Sequence, residues 1–213
     1  MGPLKRAKKV IGKTWLKAFG WTVDGEAPGV NKAVVLAAPH TSNWDFPFTL
    51  AVTWALGVDI AWLGKRQMFL PGFRRILKSI GGIPVDRSAK HNLVSQVADK
   101  IKASDELFVI VPPEGTRATV GRWKTGFYYI AVEANVPIVM GYLDFEKKKG
   151  GFGTLLYPTG DLDHDAVAIR AFYKDIKGKR PDLFTEVKFA EKDKAAPPAR
   201  EPARATSLSN PPL

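Results

Sequence analysis

The chain has 213 residues, 45% of them hydrophobic, and 32 Lys and Arg against 21 Asp and Glu give it a net charge of +11. That length fits one domain with its own core, and the positive charge favours an anionic partner such as nucleic acid, an acidic membrane or a phosphorylated substrate. The sequence contains no cysteine, which excludes disulfide bonds, a thiol nucleophile and cysteine-ligated zinc.

Residues 1–20 have the pattern of a basic amphipathic helix. Apolar side chains recur at three- and four-residue steps from Leu4 to Phe19, with six lysine and arginine residues between them. With Trp15 and Phe19 on its apolar side, such a helix can lie in the plane of an anionic membrane surface. The pattern equally allows a terminal helix that packs on the domain and leaves its basic face to solvent.

Strand patterns alternate with helical patterns along the next part of the chain, which predicts an α/β domain over residues 21–190 with a mostly parallel sheet. The predicted strands are Lys32–Ala38, Asp59–Gly64, Gly82–Val85, Leu107–Val111 and Val136–Leu143, with a later one inside Gly150–Leu162. The predicted helices are Trp44–Leu56, Ser88–Ser104, which Ser88 caps, Lys124–Asn135 and Asp163–Ile176.

Two other stretches bear on the organisation of the chain. The apolar run Phe46–Val58 has 13 residues, fewer than the roughly 20 that span a bilayer, so we expect a buried helix and no transmembrane helix. Residues 191–213 are rich in proline, alanine and charge, a composition that predicts a disordered tail.

The segment "PHTSNWD" follows the first predicted strand and contains His40 and Asp45. Ligands bind at the carboxyl ends of strands in parallel α/β folds. A carboxylate in the first turn of the next helix can accept a hydrogen bond from one imidazole nitrogen, so that the other is free to take a proton from a substrate hydroxyl. The pair therefore predicts a general base.

Two other catalytic interpretations are less well supported, and a structural histidine remains an alternative for any isolated pair of this spacing. Ser42 lies between His40 and Asp45 without the G-x-S-x-G turn of a serine hydrolase. His91 and His164 lie in polar helical contexts without other ligands at metal spacing. We therefore predict no metal site.

Two other segments place candidate anion-binding side chains at strand ends. The run "VPPEGTRAT" contains Glu114, Gly115, Thr116 and Arg117, and "GGIPVDR" ends at Arg87. Arginine suits phosphate because its planar guanidinium donates two parallel hydrogen bonds. Each segment alone is an ordinary turn, but together with His40 they predict one site at neighbouring strand ends.

In these segments the chain resembles the glycerol-phosphate and lysophosphatidic acid acyltransferase family. "HTSNWD" is similar to its H-x-x-x-x-D block, and the other similar blocks follow in family order over about residues 30–145: "GKRQMFLPGF", "GGIPVDR", "PEGTR" and "VPIV". The chain departs from the family pattern at Pro39, Gln67, Pro112 and Ala118, which leaves the base intact but the acceptor lipid open.

The resemblance implies a mixed sheet flanked by helices, with His40 as general base and Asp45 orienting it. It also implies a substrate-binding set for the glycerol-phosphate head group: Lys65, Arg87, Glu114, Gly115, Thr116 and Arg117. The acyl group would pass from acyl-CoA or an acyl-carrier protein to a lysophospholipid, with 1-acylglycerol 3-phosphate giving phosphatidic acid. No cofactor is needed, because the thioester supplies the driving force.

A lipid substrate also favours the membrane interpretation of residues 1–20 and a peripheral location on the cytoplasmic face of the membrane. Three alternatives remain from the sequence: a glycolipid or amino-acid lipid as acceptor, a non-catalytic lipid-binding protein, and a nucleic-acid binder. The last rests on charge alone, since no nucleic-acid motif is present, and we expect no nucleic-acid partner.

Overall fold

The computed structural model describes residues 2–85, 90–184 and 187–189. Within these ranges strands and helices alternate, as the apolar runs predicted. The strands are β1 (Thr22–Asp24), β2 (Lys32–Ala37), β3 (Ile60–Lys65), β4 (Gly82–Val85), β5 (Leu107–Val111), β6 (Ile138–Asp144) and β7 (Lys149–Leu156). The α-helices are α1 (Pro3–Ala18), α2 (Asp45–Leu56), α3 (Arg74–Ser79), α4 (Lys90–Lys102), α5 (Gly126–Ala134) and α6 (Leu162–Tyr173).

Two elements were not predicted from the sequence, the three-residue strand β1 and the short helix α3. The late strand predicted inside Gly150–Leu162 begins one residue earlier, at Lys149, and ends at Leu156, just before "YPTGD". The predicted Ser88 cap, Arg87 and the 191–213 tail lie outside the described residues.

The seven strands form one sheet in the order β1-β7-β6-β2-β5-β3-β4. The pairs from β6 to β4 are all parallel, whereas β7 is antiparallel to β6 and parallel to β1. The sheet is therefore mixed and mostly parallel, which confirms the predicted fold class. The carboxyl ends of β2, β5, β3 and β4 meet at one edge, called here the carboxyl edge.

Helices cover both faces of the sheet because the side chains of β2 alternate between two cores. Val34 and Leu36 pack in the core formed with α4, α5 and α6. Ala33 and Val35 pack in the core formed with α2. The side of the sheet that carries this core is called here the α2 face. The helix α1 forms a further layer, packed on the outer side of α2.

The helix α1 packs on the domain and also exposes its apolar stripe. It contacts α2 through Gly12 and Leu16, which are both buried. Leu4, Val10 and Ile11 are exposed. One side of the helix therefore packs on the domain, and another side leaves apolar residues outward, as a membrane-facing helix would. Among the described residues, no helix is both long and apolar enough to cross a membrane.

Two ion pairs connect α1 to the amino-terminal ends of the strands. The Lys8 ammonium lies 2.6 Å from an Asp59 oxygen, just before β3. The Lys5 ammonium lies 3.4 Å from a Glu106 oxygen, just before β5. The helix therefore begins near the amino ends of the strands and runs toward the carboxyl edge, where Phe19 lies 6.1 Å from Trp44, between ring centroids.

We expect Gly12→Ala to destabilise the protein although alanine is the better helix former. A Cβ at this position would lie 2.5 Å from the carbonyl oxygen of Ala51 and 3.0 Å from the Ala55 nitrogen. Overpacking of this kind costs about 1–3 kcal/mol, against about 1 kcal/mol gained in helix propensity. The melting temperature should fall, whereas Lys13→Ala, at the exposed neighbouring position, should leave it nearly unchanged. A higher melting temperature for Gly12→Ala would show that α1 does not pack closely on α2.

Candidate active site

The carboxyl edge brings most of the predicted site residues together. His40 follows β2, the 114–117 segment follows the neighbouring strand β5, and Lys65 ends β3, the next strand in the sheet. Lys65 is exposed. Arg87 would follow β4 but lies outside the described residues, so its role stays a prediction.

The His40 and Asp45 side chains lie in direct contact and form a close pair. The imidazole Nδ1 lies 3.1 Å from Asp45 Oδ2, and the two side chains are 18% and 6% exposed. An ionised carboxylate only accepts hydrogen bonds, so the imidazole tautomer that suits this contact has its proton on Nδ1. The other ring nitrogen, Nε2, is then an acceptor that can take a proton from a hydroxyl group.

A tight turn between these two residues holds the pair in place. The Ser42 N–H donates to the same Asp45 Oδ2 at 2.9 Å, and the Trp44 N–H donates to Ser42 Oγ at 3.1 Å. The Ser42 hydroxyl oxygen therefore shapes the turn. The sequence around it has no G-x-S-x-G turn of a serine hydrolase. Tyr173 supports the strand before the turn, since its buried hydroxyl lies 2.7 Å from the Leu36 carbonyl oxygen.

Glu114 faces the loop between β2 and α2 (residues 38–44), called here the histidine loop, rather than open solvent. Its Oε1 accepts a hydrogen bond from the His40 N–H at 3.1 Å, and the residue is 3% exposed. Burial raises the pKa of the Glu114 carboxyl above its ordinary value of 4.5. Its Oε2 and Asp45 Oδ1 are both buried without a hydrogen-bond partner among the described residues. A direct contact of Glu114 with substrate stays a prediction.

We expect Glu114→Gln to remove a pH-dependent part of the stability. Glutamine can still accept the His40 N–H but cannot ionise. Because its folded pKa is raised, the contribution of Glu114 to wild-type stability is fully present below the ordinary value of 4.5 and is lost as the pH rises through the folded pKa. The melting temperature of the variant minus that of wild type should therefore rise over this window. Melting curves from about pH 4 to about pH 8 test this, and a constant difference would contradict it.

The loop after β5 adds positive charge beside the pair. Gly115 has a left-handed φ of 66°, a conformation that favours glycine, and Thr116 Oγ1 accepts the Ala118 N–H at 3.4 Å. The exposed Arg117 donates from Nε to the Ser42 carbonyl oxygen at 3.2 Å, which connects the two loops. The Lys124 ammonium lies 2.5 Å from the position that a Cβ on Gly115 would occupy.

Sequence reasoning missed Lys124 as a site residue because it assigned this residue to a helix. It also missed a basic segment on the other side of the histidine loop, Lys177–Arg180. There the Arg180 N–H donates to Thr41 Oγ1 at 3.2 Å, and the Lys179 ammonium lies 5.6 Å from the centroid of the Trp44 ring. The histidine loop is thus bordered by basic side chains on two sides.

A small cavity lies beside the His40–Asp45 pair, under the amino-terminal half of α2. Its volume is about 40 Å³, and apolar side chains including Val35, Val52 and Phe152 form most of its wall. No group of three or more His, Cys, Asp or Glu side chains that could hold a metal ion is present in the described ranges.

With this geometry in hand, comparison with known proteins defines the class. Residues 12–141 match the family model for the acyltransferase family, described as Acyltransferase. The match covers more than half of the chain, so the chain belongs to the acyltransferase family, whose reaction class is acyl transfer. This confirms the resemblance found in the sequence.

The chain is also similar to a solved structure, the 1-acyl-sn-glycerophosphate (LPA) acyltransferase PlsC from Thermotoga maritima. The TM-score is 0.58 and the sequence identity 18%, over 80% of this chain and 78% of that one. At this identity the similarity establishes a shared fold. No curated protein sequence matches the chain.

Proposed function

We propose that the protein transfers a fatty acyl group from an acyl thioester to the free hydroxyl of a lysophospholipid. The acceptor is 1-acylglycerol 3-phosphate and the product phosphatidic acid. The observation that carries the proposal is the His40–Asp45 pair, held at 3.1 Å at the carboxyl edge of an acyltransferase fold. Basic side chains on both sides of the pair suit a phosphate-bearing acceptor.

In this mechanism, His40 Nε2 removes the proton from the acceptor hydroxyl while its oxygen attacks the thioester carbonyl carbon. The Asp45 carboxylate stays ionised, orients the imidazole through Nδ1–H and stabilises the imidazolium that forms. When the tetrahedral intermediate collapses, the carbon–sulfur bond breaks and the leaving thiolate takes the proton back from Nε2. The thioester provides the driving force, so the proposal includes no cofactor.

The acceptor phosphate would be held by cations of the loops around His40. Arg117 is exposed and anchored through Nε to the Ser42 carbonyl, and Lys124 lies over Gly115 in the same loop. Guanidinium and ammonium groups bind phosphate oxygens by charge-assisted hydrogen bonds. Lys65 and Arg87 would complete this set from the two neighbouring strands.

We also propose that α1 holds the protein on the anionic, cytoplasmic face of a membrane. The exposed Leu4, Val10 and Ile11 are accompanied on the same helix by Arg6 and Lys17, which are exposed too. Each basic residue near an anionic bilayer contributes about 1 kcal/mol. Deletion of α1 would uncover buried residues of α2, so single substitutions on its exposed side are the better test.

The acceptor is tested by incubating the protein with a panel of lysolipids and a radiolabelled acyl donor, as acyl-CoA or as acyl-carrier protein. We expect labelled phosphatidic acid from 1-acylglycerol 3-phosphate and much less product from lysolipids without a terminal phosphate. Arg117→Ala should raise KM for this acceptor more than it lowers kcat. Labelling of a glycolipid or an amino-acid lipid instead would show that 1-acylglycerol 3-phosphate is not the acceptor. No labelling of any lipid would contradict the proposed acyl transfer.

A further inference from the structure

A second surface of the protein combines exposed apolar and basic side chains, in the connection between β3 and β4. Met68, Leu70, Phe73 and Ile76 are all exposed, and Phe73 is the most exposed of them at 65%. We call residues 66–79, which include α3, the 66–79 segment. Large apolar side chains are unusual at this exposure when several lie so close in one short segment.

The exposure is not caused by a loose segment, because other residues of it pack on the sheet. Phe69 is buried and lies 6.0 Å from the Trp62 ring, between centroids. The Trp62 indole N–H also donates to the Ile80 carbonyl oxygen at 2.9 Å. Phe69 thus anchors the segment on β3, while its neighbours Met68 and Leu70 face outward.

The segment is basic as well as apolar. It contains Arg66, Arg74, Arg75 and Lys78 and no acidic residue. None of these four forms an ion pair with another described residue. By contrast, Lys5 and Lys8 at the opposite end of the strands are paired with carboxylates. All four side chains are exposed, which suits contact with an anionic partner.

The 66–79 segment and α1 lie on the same face of the sheet. The Trp62 side chain that holds the segment contacts Phe46 of α2, with 5.3 Å between ring centroids, and Ile80 belongs to the same core. The outer layer on α2 is α1. Most of the large exposed apolar side chains in the described ranges belong to α1, the histidine loop or the 66–79 segment, whereas Val167 on α6 is isolated on the opposite face.

We infer that the 66–79 segment is a second membrane-docking surface, which with α1 sets the α2 face of the domain against an anionic lipid bilayer. Apolar side chains interleaved with cations match the acyl boundary and the anionic head groups of such a surface. An acidic protein partner would be attracted by the charges, but it would give no reason for four outward apolar side chains around them.

This orientation has a consequence for the active site, and that part rests on the proposed function. The segment begins beside Lys65 at the carboxyl edge, and α1 ends at the same edge, where Phe19 contacts Trp44 of the histidine loop. His40 follows β2 at this edge, which also carries the start of the 66–79 segment and the Phe19–Trp44 contact. A lysophospholipid would then pass from the bilayer to His40 without crossing bulk water.

The absence of cysteine makes a direct test possible, because single-cysteine variants are labelled at one site. Phe73→Cys, Ile11→Cys and Val167→Cys are labelled with an environment-sensitive fluorophore and mixed with vesicles of phosphatidylglycerol and phosphatidylcholine. We expect a blue shift and protection from aqueous iodide at positions 73 and 11 and neither at position 167. A label at position 73 that stays as quenched as in water overturns the inference, whatever position 11 does. A blue shift at position 73 that is caused by acyl-carrier protein and not by vesicles also overturns the inference.

Charge removal gives an independent readout. The double change Arg74→Gln and Arg75→Gln should weaken binding to the anionic vesicles by about 25-fold, at about fivefold per charge, with an unchanged melting temperature. Val167→Ser should bind like wild type. Unchanged affinity of the double variant overturns the inference. Because vesicle binding is measured without substrate, a failed acylation assay would contradict the proposed function and leave this result standing.

Discussion

His40→Ala should lower kcat/KM for acylation of the lysophospholipid by about 10²–10⁴, the usual contribution of a general base. The alanine variant keeps the loops proposed to bind the substrate but has no ring nitrogen to take the hydroxyl proton. KM for the acceptor should change little, since the side chains proposed to bind the phosphate are unchanged in this variant. Initial rates with saturating acyl donor measure the effect.

His164→Ala is a matched control for this change. His164 also has Nδ1 3.1 Å from an aspartate oxygen, that of Asp165, but its side chain is 73% exposed on α6. Removing it should leave the rate within about twofold, because solvent-exposed pairs contribute little. If a folded His40→Ala protein acylates at the wild-type rate, the general-base mechanism is wrong.

Asp45→Asn should have the second-largest effect, a loss of about 10–10² in kcat with KM nearly unchanged. Asp45 Oδ2 accepts the Ser42 N–H and lies 3.1 Å from His40 Nδ1, and an asparagine oxygen can keep that position. The variant therefore preserves the turn and removes the negative charge opposite the imidazolium. A charge-assisted hydrogen bond is about twice as strong as a neutral one, and each 1.36 kcal/mol corresponds to a factor of about ten in rate.

Comparison with Asp45→Ala separates the charge from the geometry. Alanine removes the acceptor for the Ser42 N–H as well, so this variant should also lose thermal stability. Asp99→Asn, at an exposed position of α4, controls for the loss of a surface carboxylate. Equal rates for wild type and Asp45→Asn would mean that the carboxylate positions the loop and takes no part in proton transfer.

The strands that carry the site could be predicted closely from the sequence because each is a short apolar run between turn residues. Gly82–Val85 and Leu107–Val111 have the predicted ends. Buried parallel strands are continuous apolar runs, and their order along the chain places their carboxyl ends together. The histidine, the aspartate and the loop after β5 could therefore be assigned to one edge before any geometry was known.

The contacts that surround the pair could not be predicted in the same way, since they join residues far apart in sequence. Arg180 and Thr41 are in contact across 139 positions, and nothing in the local pattern indicates it. Glu114 was identified as a site residue, but the direction of its carboxylate depends on how the two loops pack. The strand β1 was missed because its three exposed residues carry no apolar signal.

The orientation of α1 shows a different limit of sequence reasoning. Periodicity located the apolar stripe but could not say whether it faces the domain. The structure places Gly12, Leu16 and part of Trp15 against α2, because a glycine allows two helices to approach closely. Because this side of the helix packs on α2, Leu4, Val10 and Ile11 are exposed on its other sides.

The ion pairs of α1 complicate any titration with sodium chloride. Added electrolyte would screen Lys5 and Lys8 from their carboxylates on the domain as well as screening the remaining cations from anionic lipid. A helix that loosens from α2 would thus be mistaken for one that has lost its affinity for vesicles. Far-ultraviolet circular dichroism and protease sensitivity of residues 3–18, followed in the same buffers, would tell these two events apart.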